Sequence, residues 1–110
     1  MARKEEMKIE RGSGNVFADL GLEKPSVHLA KAQLVVAISD AIKSAGLTQA
    51  RAAQEMGVDQ PKVSNLLRGD FTGFSLERLY RCLNSLGHDV TITVQPRKKD
   101  GAGQTYVELG

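Results

Sequence analysis

The side chains able to do covalent or metal chemistry are few and badly spaced. His28 and His88 lie far apart, Cys82 is the single cysteine, and no H-x-x-x-H or C-x-x-C pair accompanies them. A bound metal needs several such ligands converging on one point, so no metal site and no cofactor are expected. Serine and threonine are frequent, but no nucleophile elbow, phosphate loop or paired-carboxylate motif surrounds them, and the chain does not read as an enzyme. What remains is a polar stretch with a regular apolar frame, "LTQARAAQEMGVDQPKVSNLLRG", Leu47 to Gly69. Its amides, hydroxyls and cations can form hydrogen bonds and neutralise charge, which is the chemistry of recognition.

The frame explains how such groups would be positioned. Thr48 can cap a helix over Gln49–Met56, Gly57 stops it, and Asp59 can cap a second helix that tolerates Pro61 in its first turn and ends near Arg68 and Gly69. Two short helices crossing at a steep angle need a small residue at the crossing, a glycine able to take positive φ in the turn, and an apolar lock at the corner. Ala53, Gly57, and the set Ala52, Met56, Val58, Val63 and Leu66 meet those needs. The break leaves the outer face of the second helix projecting, in a shape that fits a DNA major groove about 12 Å wide.

The flanking elements complete a small helical body. Ser26, after Pro25, is read as the cap of a first helix with Leu34, Ile38, Ala41, Ile42 and Ala45 at helical spacing and Gly46 as its stop. Ser75 caps a last helix whose Leu76, Leu79, Tyr80, Leu83 and Leu86 form one stripe, closed by Gly87, with Cys82 as a small packing residue. In "HDVTITVQP" the period changes: Val90, Ile92 and Val94 alternate with polar residues, which predicts a strand. It would need a partner, either "TYVEL" beyond the "RKKDGAG" loop or the same segment of a second subunit. Residues 1–25 mix charges of both signs around "GSG" and read as an N-terminal arm, although Val16, Phe17, Leu20 and Leu22 could dock on something apolar. The boundaries that follow are an arm at 1–25, a helix-turn-helix domain at 26–88, and a C-terminal strand and tail at 89–110 expected to dimerise.

Composition sets the outer limits. The 110 residues suit one core, and 41% hydrophobic with 25% charged residues is an ordinary globular balance. The longest apolar run, Leu34 to Ile38, is too short to span a bilayer, and "MARKEEMKIERGSG" lacks the apolar region of a secretory signal, so no membrane association and a cytoplasmic location are expected. One cysteine suits a reducing compartment. The net charge of +2 is too small to identify a partner by itself.

The stretch Leu47 to Gly69 resembles the helix-turn-helix core of the phage-repressor/Xre superfamily, with its L-T-Q-x-x-x-A-x-x-x-G-V-x-Q-x-x-V-S-x-x-x-x-G pattern. The resemblance implies a mainly α, lambda-repressor-like bundle of four to five helices, here with a C-terminal β-strand or hairpin. It also implies that Gln60, Pro61, Ser64 and Asn65 approach base edges, and that Thr48, Gln49, Lys62 and Arg68 meet phosphates. Amides can pair bidentately with adenine, whereas phosphate contacts set register without reading sequence. "GNVFADLGL" and "SLERLYRCLNSLGHDVTITVQP" further resemble the HigA-type antitoxins of two-gene modules, whose partner is a small RelE-like ribonuclease toxin. The expected function is therefore a sequence-specific transcriptional repressor, the antitoxin of such an operon, acting as a homodimer on an inverted-repeat operator in double-stranded DNA. Two alternatives are an autonomous Xre-type regulator without a toxin and a helix-turn-helix protein-interaction module.

Overall fold

A computed structural model describes residues 23–110. Its elements are α1 (Pro25–Ser44), α2 (Gln49–Met56), α3 (Gln60–Leu67) and α4 (Leu76–Ser85). The apolar segment containing Val16, Phe17, Leu20 and Leu22 lies outside the described residues.

Helix α1 begins one residue before the expected cap. Lys24 is the extended N-cap residue, at φ −62° and ψ 140°, and Pro25 takes the first helical position, where its missing N–H costs nothing. Ser26 is thus inside the helix, and its Oγ accepts the backbone N–H of Thr105 at 3.4 Å instead of capping. The two polar caps expected on α2 and α4 do form: Thr48 Oγ1 accepts from Arg51 N and Ser75 Oγ from Arg78 N, each at 3.1 Å. Asp59 occupies the N-cap position of α3, but its side chain makes no capping bond.

The apolar stripes meet in one core. Ile38, Val63, Leu66 and Leu79 are its largest fully buried side chains, joined by Leu34, Ile42, Met56, Phe74, Cys82 and Leu83. Helix α1 packs along α4, α2 packs on α3 and α4, and α3 also reaches α1. No polar or charged residue is buried among the described residues. The core side chains therefore contribute through apolar burial, worth about 25 cal/mol per Å² of area removed from water.

The expected C-terminal strand or hairpin is not there. Among the described residues there is no β-strand, and no backbone hydrogen bond joins residues 89–95 to residues 105–109. Val90 and Val107 pack against the helical core, while Ile92 and Val94 are 70% and 93% exposed and Tyr106 is 72% exposed. The physical reason is that alternation specifies an apolar face, whereas a strand also needs a neighbour to satisfy its ladder. The returning segment anchors on α1, through Thr105 N–H and Ser26, and does not supply that neighbour.

Candidate nucleic-acid interface

The geometry of the α2–α3 corner follows from its turn. Gly57 ends α2 at φ 69° and ψ 33°, a left-handed conformation that a Cβ-bearing residue adopts at a cost, and Val58 N–H closes back on Ala53 O at 3.1 Å. The chain then reverses within Val58 and Asp59 and enters α3. Ala52, Ala53, Met56, Val63 and Leu66 are buried on the inner side of the corner, with Val58 packed against them. The inner faces of both helices are thereby used up. Their outer faces are left to carry function.

The expected base-reading residues fall into two pairs. Gln60 and Pro61 open α3 and are exposed. Ser64 and Asn65 stand one turn further along, half-buried, and both accept hydrogen bonds from the Arg68 guanidinium: Nη1 donates to Ser64 Oγ at 2.7 Å, and Nη2 donates to Asn65 Oδ1. Of the four residues expected at phosphates, Gln49 starts α2 exposed, Thr48 is exposed with its hydroxyl engaged as the α2 cap, and Lys62 is exposed on α3. Among the described residues Lys62 joins no ion pair. Arg68 is exposed too, but its side chain is folded back onto α3. That fold was legible in principle, because Arg68 stands four residues after Ser64 and three after Asn65, the spacings at which helical side chains meet.

The surrounding charge is mixed. Arg51 is paired with Glu55 at 3.1 Å across one helical turn, which subtracts it from the cations of this face. The loop after α3 is ordered by its own contacts: Thr72 N–H donates to Asp70 Oδ1 at 3.1 Å, and hydrogen bonds from Thr72, assisted by the Arg68 charge, hold the Asp70 carboxyl below the usual carboxylate range. Phe74 is buried at the loop's end with the Arg78 guanidinium 4.7 Å from its ring centre, and the Phe71 ring lies 4.9 Å from His28 on α1. Phe74 is a core residue that none of the apolar stripes read from the sequence includes, because it lies between helices and outside any helical period. No trio of His, Cys, Asp or Glu among the described residues is placed to hold a metal ion. Nor is any described helix long and apolar enough to cross a membrane.

Comparison with known proteins decides the family. A family model described as a helix-turn-helix domain matches residues 16–95. A solved structure named "Putative XRE Family Transcriptional Regulator" is similar at 36% sequence identity and a TM-score of 0.70, over 77% of this chain and 97% of that one. The chain belongs to the XRE helix-turn-helix family. It is a DNA-binding transcriptional regulator of the helix-turn-helix type, and XRE regulators of this type are non-catalytic. No curated protein matches the sequence.

Proposed function

We propose that this XRE regulator binds a specific double-stranded operator by placing the outer face of α3 in the major groove, with Gln60, Pro61, Ser64 and Asn65 at base edges and Thr48, Gln49 and Lys62 at phosphates. The observation that carries the reading is the corner itself: Gly57 and the buried lock of Ala52, Ala53, Met56, Val63 and Leu66 leave the polar face of α3 outward, in the arrangement by which helix-turn-helix proteins enter DNA. Exposed Gln60 at the helix start supports it, because the N-terminal part of a recognition helix is the part that meets bases. The regulator works as a repressor on an inverted repeat, read by two copies related by a two-fold axis. Exposed Leu29, Val36, Ile92, Val94 and Tyr106 offer apolar surface for such pairing.

The reading is that of an autonomous regulator, supported by the likeness to a solved protein that is itself named as a transcriptional regulator. The antitoxin reading rests on the resemblance of the segments 14–22 and 75–96 alone. Co-purification with the product of an adjacent gene tests it, and stable capture of a small ribonuclease would restore it. The autonomous reading is tested by a shift assay on the DNA upstream of the protein's own coding sequence. Retention of that duplex at a salt concentration that releases a scrambled duplex is expected, and equal release of both would refute it.

A further inference from the structure

Arg68 follows directly on α3, where its guanidinium could reach outward toward a phosphate. Both of its terminal nitrogens instead turn back, to Ser64 Oγ at 2.7 Å and to Asn65 Oδ1. The backbone keeps the two residues next to each other. The Asn65 carbonyl accepts N–H groups from Arg68 at 3.0 Å and from Asp70 at 2.9 Å, the Gly69 N–H closes on Leu66 O at 2.9 Å, and Gly69 takes the left-handed conformation at φ 88°. The residue that carries the guanidinium is thereby tied to the residue whose side chain it holds.

The consequence is chemical. A guanidinium has donors only, so the amide oxygen of Asn65 must face it and the amide NH2 must face away. An unconstrained asparagine pairs bidentately with adenine, accepting from N6–H and donating to N7. With one of its two lone pairs engaged by Arg68, the Asn65 oxygen is turned toward the guanidinium and is a poorer acceptor for an adenine N6–H, which leaves the Nδ2 hydrogens as the groups free to face a base. The base whose major-groove edge is made of acceptors is guanine, through N7 and O6.

We propose, on the reading of α3 as the base-contacting helix, that Arg68 is a positioning residue that sets which base Asn65 reads: it orients the amide by drawing Oδ1 toward itself, leaves Nδ2 as the outward donor, and so moves the preference from adenine to guanine. This role replaces the phosphate contact expected for Arg68 from the resemblance.

The test is selection from a randomised duplex library with wild type, Asn65→Ala, Arg68→Met and Arg68→Lys, with thermal melts of each. The wild type should enrich guanine at the position whose preference Asn65→Ala abolishes. Arg68→Met, melting as the wild type does, should swing that position toward adenine, changing the guanine-to-adenine ratio by about tenfold, within the range one bidentate base contact supplies. Arg68→Lys keeps the charge but lacks the planar fork, so it should show the same swing while retaining more total affinity. If Arg68→Met fails to fold, Arg68→Lys carries the test. An unchanged base preference, with affinity lowered equally on all duplexes and the salt slope reduced by about one, would overturn the proposal and return Arg68 to the phosphates. If the wild type enriches no motif, the base-reading role of α3 fails first, and this proposal with it.

Discussion

Asn65 and Lys62 lie one turn apart on α3, yet their loss should weaken DNA binding in different ways. Asn65→Ala should cost about 1–3 kcal/mol on the selected site and flatten discrimination at one position, whereas Lys62→Ala should weaken all duplexes alike and lower the salt slope by about one. Titrations at two salt concentrations on a selected and a scrambled duplex separate the two patterns; uniform weakening by Asn65→Ala would remove it from the base edges. The type of each side chain was readable from the sequence, and so was its place on the outer face. The bond between Asn65 and Arg68 is legible only as a spacing that permits it, because a pattern that assigns residues to a face does not say which of them bond to one another. Cys82 offers a further check at this scale. Burial pushes its thiol above the ordinary range, so the reactive thiolate is disfavoured in the folded chain. A thiol reagent should label it slowly near neutral pH and rapidly in denaturant. Because the folded-state thiol is the weaker acid, the stability it contributes is present below the ordinary thiol pKa and fades as pH rises through the folded value.

At the scale of elements, the α2–α3 turn depends on one backbone conformation. A methyl group at Gly57 would meet no atom within 4 Å, so the penalty for Gly57→Ala is one of φ, at 69°, and not of crowding. The variant should lose roughly 1–2 kcal/mol, the cost of forcing a Cβ-bearing residue into the left-handed region, and its melting temperature should fall accordingly. An unchanged melt would mean the turn can reopen without loss. Helix ends of this kind were legible because they are local: Thr48 and Ser75 as caps and Gly57 as a stop each depend on neighbours within a few residues. The N-cap of α1 lies two residues before the expected Ser26, at Lys24, since Pro25 fits the first helical position and draws Ser26 inside. The C-terminal segment was misread for a different reason. Val90, Ile92 and Val94 satisfy the period of a strand, but ladder partners are distant in sequence, and the "TYVEL" segment is drawn to α1 by Ser26 and to the core by Val107. Ile92→Pro, which removes one backbone donor, should therefore leave the melting temperature of the isolated chain nearly unchanged. A large drop would reveal a ladder that this fold lacks.

At the scale of the whole molecule, a core that buries no polar side chain among the described residues positions a polar outer face on α3, and DNA recognition depends on that division of labour. Net charge contributes little to it: +2 overall, with Arg51 neutralised by Glu55, cannot account for site selection by attraction alone. The proposed two-fold reading of an inverted repeat makes assembly a separate question. Sedimentation at micromolar concentration should return twice the 11.9 kDa mass of the chain, with a lower value if pairing occurs only on DNA. The measurement closest to the central claim is competition binding of the wild-type protein to its selected duplex against a scrambled duplex of the same length and composition, at physiological salt. The selected duplex should bind at least about a thousandfold more tightly, the lower end of the range for specific regulators. Equal affinity for the two would contradict base reading by this helix, since phosphates alone would then explain all binding and the outer face of α3 would read nothing.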